Sequence, residues 1–167
     1  MIKTLWARVG AYRRETAVAP LLTVAEAVLE TMIPLVMSAI IDRGIEAGDL
    51  RSVCLYGGLM VVLAALALLS GVLAGRFAAT ASTGFAANLR ADMFRNIQTF
   101  SFSTIDRYST AGLVTRLTTD VTNLQNAFQM ILRMCVRAPV TMLCAVVMAV
   151  RVSPRLSLVF LVAMVFL

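Results

Sequence analysis

Hydrophobic positions in this chain gather into four long stretches with short polar breaks between them, a pattern that predicts membrane-crossing helices. The first stretch, residues 17–41, is about 25 residues long and would reach roughly 37 Å as a helix. Pro20 sits near its start, where a missing N–H does little harm, whereas Pro34 lies inside and predicts a kink or local widening. A polar segment, 42–49, with Gly44 and Gly48, ends that helix, and Asp49 or Ser52 is placed to cap the next. The second stretch covers 53–81. Its small residues Ala67, Gly71, Gly75 and Ala79 recur every four positions, which predicts a face another helix can approach closely.

Helical patterning continues past the second stretch. Phe85, Leu89, Met93, Ile97 and Phe100 follow at helical spacing with Arg90, Asp92, Arg95 and Asn96 between them, so an amphipathic arm of about 19 residues, roughly 28 Å, leaves the bilayer. A Ser- and Thr-rich tip follows. Periodicity then resumes through Leu113, Leu117, Val121, Leu124, Phe128 and Ile131, with Arg116 and Asp120 spaced as a helix-surface pair. This second arm, reaching to about residue 125, leads into a third span over 126–150. In the turn 151–155, Ser153 reads as an N-cap and Pro154 as the first helical position. The last stretch, 156–167, has 12 residues, about 18 Å against the ~30 Å hydrocarbon core, so the chain reads as a fragment. The fold expected is all-α: a polytopic membrane helix bundle with long helical cytoplasmic extensions, truncated in its fourth transmembrane helix.

Composition agrees. The 167 residues are 60% hydrophobic and only 14% charged, too few polar groups to cover a soluble domain. The net charge of +6 comes from Lys and Arg that flank apolar runs, which argues for topology signals and against nucleic-acid binding. The short turns hold only Arg43, Arg51, Arg151 and Arg155. The remaining basic residues lie in the N-terminal segment 1–16 or between Arg76 and Arg137. That bias predicts a multi-pass protein with a cytoplasmic N-terminus, an uncleaved first span and arms in the cytoplasm. Cys54, Cys135 and Cys144 read as buried free thiols, and no metal-ligand cluster is spelled out. The chain has no His and its one Lys is Lys3, so neither a Ser-His nor a Cys-His pair nor a phosphate-cradling Gly-Lys-Ser/Thr loop occurs; no catalytic residue, metal or cofactor is assigned to it.

Charges within the spans are the candidate chemistry. Glu26 and Glu30, four apart, share a face of the first helix near mid-membrane depth, where a charge costs about 2.5 kcal/mol or more unless it meets protein, water or a partner. They read either as a cavity lining that attracts cations or carries protons, or as carboxyl groups bonded between helices. Arg133 and Arg137 mark the lower third span, either snorkelling to headgroups or forming an ion pair in a cavity wall. Two further classes stay open from these residues: an ion-coupled carrier or channel with Glu26 and Glu30 as its site, and a non-transporting membrane scaffold. A long hairpin with a docking tip is a device neither of them needs.

Several strings then converge. Phe100-Ser-Phe-Ser103 and Thr110-Ala-Gly-Leu-Val-Thr-Arg-Leu-Thr-Thr-Asp-Val121 resemble the first intracellular loop of ABC exporter membrane domains. Glu30, Pro34 and Ile41-Asp-Arg-Gly44 fit the first span of that family, and Leu132-Arg-Met-Cys-Val-Arg-Ala-Pro139 leading into Met148-Ala-Val150 fits its third. The look is closest to bacterial heterodimeric multidrug-type exporters. The resemblance implies a coupling helix at Ser103, Thr104, Ile105, Asp106, Arg107, Tyr108 and Ser109 that docks on an ABC nucleotide-binding domain. It also implies ATP and Mg on that absent domain, a second transporter half and a bacterial plasma membrane setting. The charges within the spans, Glu26, Glu30, Arg133 and Arg137, are the candidates for its translocation pathway.

Overall fold

The computed structural model describes residues 10–101 and 109–152, and every regular element among them is helical. A single 3-10 turn, Gly10–Tyr12, opens into α1, Arg13–Ile40, whose last turn widens into a π turn, Ile41–Ile45. Helix α2 runs unbroken from Leu50 to Ile97, 48 residues, over twice the ~20 that cross a bilayer. Helix α3, Thr110–Thr115, passes through a second π turn, Arg116–Asp120, into α4, Val121–Val152. Three continuous helical stretches, Arg13–Ile45, Leu50–Ile97 and Thr110–Arg151, are long and apolar enough to cross a membrane. Large side chains such as Leu68 (70% exposed) and Val61 (69%) stand free of this chain's own packing, as suits a protein whose solvent is lipid. The turn 153–155 and the stretch 156–167 lie outside the described residues.

Local chemistry explains the breaks. Helical geometry passes Pro20 and Pro34, and the widening expected at Pro34 occurs instead at Ile41–Ile45, where the Glu46 N–H bonds the Ile41 carbonyl at 3.0 Å. Gly44 is buried there, and a Cβ on it would stand 2.6 Å from Val53 Cγ2, so only glycine fits. Gly48, at φ +65°, stops the helix: Asp49 N–H reaches the Gly44 carbonyl at 2.9 Å and Gly48 N–H the Ile45 carbonyl at 3.2 Å, a Schellman pair. Of the two caps open for α2, Asp49 serves. Its carboxylate accepts the Arg51 N–H at 3.0 Å and the Ser52 hydroxyl at 2.6 Å, contacts that hold the Asp49 carboxyl below the usual range, the Ser52 bond foremost.

The chain divides into two compact units. One joins the residues before Leu21 to Ala74–Met134, and so contains both arms. Ala19, Ala78, Ala81 and Leu132 form its core, with Phe77 and Phe128 packed against them. Phe85 is 1% exposed and stacks on Phe128 with ring centroids 4.8 Å apart. Gly84 lies under the Tyr12 ring, which leaves no room for a side chain. The close-approach face of α2 corrects the four-residue stripe read from the sequence. Ala67 is buried, but Ala74, Ala78 and Ala81 follow it instead of Gly75 and Ala79, because a helix of 3.6 residues per turn drifts off a strict four-residue step. Arm two departs likewise: Leu124 and Ile131 are exposed, while Val121 and Leu132 are buried with Phe128 between them.

The second unit, Leu21–Leu73 with the residues from Cys135 onward, buries fewer apolar side chains and is tied by polar contacts. Arg43 Nη1 donates to Tyr56 Oη at 3.1 Å beside the Ile41–Ile45 turn. The cysteines carry free thiols, but Cys54 and Cys135 are exposed, not buried as expected, because they sit on helix faces that nothing among the described residues covers.

Candidate functional site

The polar centre of the second unit is built by three helices. The spacing of Glu26 and Glu30 puts both carboxylates on one face of α1, and Arg137 of α4 meets both. Arg137 Nη1 lies 3.0 Å from Glu26 Oε1 and Nη2 lies 2.6 Å from Glu30 Oε2, so the planar guanidinium spans two acceptors with its two terminal nitrogens. The third wall is α2, where a Cβ on Gly71 would stand 2.6 Å from Glu26 Oε1; glycine at 71 is what seats the carboxylate.

The two carboxylates differ. The Glu26 side chain is 10% exposed and Glu30 45%, with Arg137 at 41%. Glu26 Oε2 is buried and has no hydrogen-bond partner in the structure. One guanidinium therefore faces two carboxyl groups, and one acceptor oxygen is left over at the more buried end. In a low-dielectric setting an unmatched acceptor oxygen is costly, so the site favours a hydrogen-bond donor or a cationic group there.

Arg133 is not part of this cluster. Its guanidinium lies against Gly75 of α2, Nη1 3.9 Å from where a Cβ would be, in the unit that holds the arms. Four-residue spacing suggested that Arg133 and Arg137 act together, but only Arg137 is joined to Glu26 and Glu30. Of the tip residues, Ser103, Thr104, Ile105, Asp106, Arg107 and Tyr108 lie outside the described residues. Ser109 is the N-cap of α3: at φ 53° its Oγ accepts the Gly112 N–H, 3.2 Å away. The expected Arg116–Asp120 surface pair falls in the π turn, where a four-residue spacing no longer stacks side chains as it does in an α-helix. The small-residue stripe marked Gly71 as a place of close approach, but sequence reasoning did not pair it with Glu26, and it missed Arg90, which bonds from α2 to the second arm. Which residue of another helix a position faces leaves no periodic trace, so no signal marked either partner.

The three long apolar helices, with an ion pair set among their apolar residues, define a polytopic membrane protein, and comparison supplies its family. The family model described as ABC transporter transmembrane region matches residues 16–167, so the chain belongs to that family and is the membrane part of an ABC transporter. It is 37% identical over 151 residues, 90% of its length, to the uncharacterized ABC transporter ATP-binding protein YfiB of Bacillus subtilis. It is also 30% identical over 152 residues, 91% of its length, to two uncharacterized ABC transporter ATP-binding proteins, Rv1273c of Mycobacterium tuberculosis and Mb1304c of Mycobacterium bovis. The chain spans 26% of the length of each of these relatives.

Proposed function

We propose that this chain is part of the translocation pathway of an ATP-driven exporter and passes motion from a nucleotide-binding domain to the membrane through the hairpin between α2 and α3. The observation that carries the reading is α2 itself: 48 helical residues without a break, in a family whose relatives are named ATP-binding proteins. A helix of that length reaches far beyond a bilayer that needs ~20 residues, and its outer part is stiffened by packing against a second arm.

On this reading ATP and Mg bind a nucleotide-binding domain outside this chain, and the coupling contact is made by residues 103–109. A second transporter half, of the heterodimeric multidrug type, completes the cavity. The N-terminus faces the cytoplasm of a bacterium and the protein sits in its plasma membrane. Glu26, Glu30 and Arg137 line the path for a cationic or amphipathic compound, with Arg133 lower in the same span.

The test uses the full-length transporter with its partner half in inside-out vesicles. ATP with Mg should drive accumulation of a fluorescent lipophilic cation and vanadate should stop it. Glu26→Gln should lower transport of the cation more than of a neutral dye. Uptake that ignores ATP and collapses with a protonophore would establish the carrier reading instead.

A further inference from the structure

The π turn in the second arm is held by a side chain from α2. A single π turn shifts backbone bonding by one residue, and a carbonyl in it is left to find another donor. Here the Val121 N–H returns to the Arg116 carbonyl, five residues back. The Leu117 carbonyl inside the turn receives Arg90 Nε from α2 at 3.3 Å. Arg90 Nη2 also donates to Thr122 Oγ1 at 3.0 Å, and that hydroxyl is itself oriented by donating to the Thr118 carbonyl at 2.8 Å. One side chain thus grips the second arm at two points, one inside its irregular turn and one just past it, 27 and 32 residues away in sequence. Val121, 2% exposed, lies between the two grip points, so the polar clasp sits at the end of an apolar seam. On the tip side lies a cleft of about 180 Å³ lined by Met93, Asn96, Ile97, Phe100, Leu113 and Arg116.

We infer that Arg90 is a positioning residue that locks the two arms into one lever, so that force applied at the tip reaches the spans instead of splaying the hairpin. The inference rests on the exporter reading for its consequence and on the two bonds for its geometry. Arginine suits the place because its planar fork reaches a carbonyl and a hydroxyl from two nitrogens at once; a lysine ammonium keeps the charge but donates from a single nitrogen.

The experiment compares Arg90→Ala, Arg90→Lys and Thr122→Val in the full-length transporter, reconstituted in liposomes, with basal ATPase, substrate transport and thermal stability measured together. Transport per ATP hydrolysed should fall about tenfold in Arg90→Ala, within the range of ordinary coupling energies, and by less in the other two, with basal ATPase kept. Spin labels at Ala91→Cys and Thr119→Cys in a cysteine-free background should show a broadened inter-arm distance in the same variants. Unchanged transport per ATP in all three overturns the proposal. A parallel fall of ATPase, transport and melting temperature overturns it too, since that marks a fold defect alone. If Arg90→Ala does not assemble, Arg90→Lys and Thr122→Val carry the test. Should the unsubstituted protein show no ATP-driven transport, the exporter reading fails and the coupling role with it, while the label distances still report whether the clasp exists.

Discussion

The two units of this molecule are held together by different physics. In the unit with the arms, nearly every buried apolar side chain of the described chain is found, Ala27 and Ala67 apart, and the ties are the Phe85–Phe128 stack, the alanine seam and the Arg90 clasp. In the other unit, large apolar side chains are mostly exposed, and helices are joined by polar contacts, the Arg43–Tyr56 bond and an ion pair cradled by a glycine. Where water is the solvent, apolar burial drives helices together. In lipid that drive vanishes, because the tails are as apolar as leucine, and small residues and polar pairs decide which helices meet.

That contrast can be broken first at Phe85. Phe85→Ala removes the best-buried large side chain and should cost about 3–5 kcal/mol, seen as loss of inter-arm order by spin-label distances in the full-length protein. If the arms kept their order, apolar packing would not be what holds them.

Next comes Arg137→Met, which leaves Glu26 buried without its partner. A loss of about 2–4 kcal/mol is expected in detergent melting, largely restored in the double variant with Glu26→Gln, because the penalty is the stranded charge more than the lost attraction. Equal melting of single and double variants would show that Glu26 does not depend on Arg137. Glu30→Gln should cost less than about 1 kcal/mol, as for other half-exposed pairs, and a larger loss would move the weight of the site from Glu26 to Glu30.

The smallest effect is at Asp49, between the first two spans. Its folded carboxyl is held below the ordinary range by the Ser52 hydroxyl and the Arg51 amide, so its contribution is complete above the unfolded value and is lost as pH falls through the lower folded one. A carboxyl chemical-shift titration in nanodiscs should show a midpoint below that of a free aspartate, moved upward by Ser52→Ala. A midpoint at the ordinary value would remove the cap from the account of how α2 starts.

Much of the architecture was legible in the sequence. Apolar run lengths marked the spans, the glycine at 48 marked the first stop, and unbroken amphipathic spacing after 81 marked the arm. Where the reading slipped, the cause was phase. A four-residue stripe named Gly75 and Ala79 where Ala74 and Ala78 are buried, and in arm two it named Leu124 and Ile131 on a face that turned outward. Both slips come from extending a local spacing along a helix whose true period is fractional, or one interrupted by a π turn that no residue announced.

By itself, then, the order of residues determined that this is an all-helical membrane chain with charges set inside its apolar stretches, since length, hydropathy and period are properties of one helix at a time. Only the folded structure decided that Arg137 pairs with Glu26 and Glu30 while Arg133 turns to Gly75, and that Arg90 grips Leu117 and Thr122. Those choices depend on the relative rotation of helices far apart in sequence. No periodicity within a single helix encodes that rotation, because it is set by which small residues let two backbones come close.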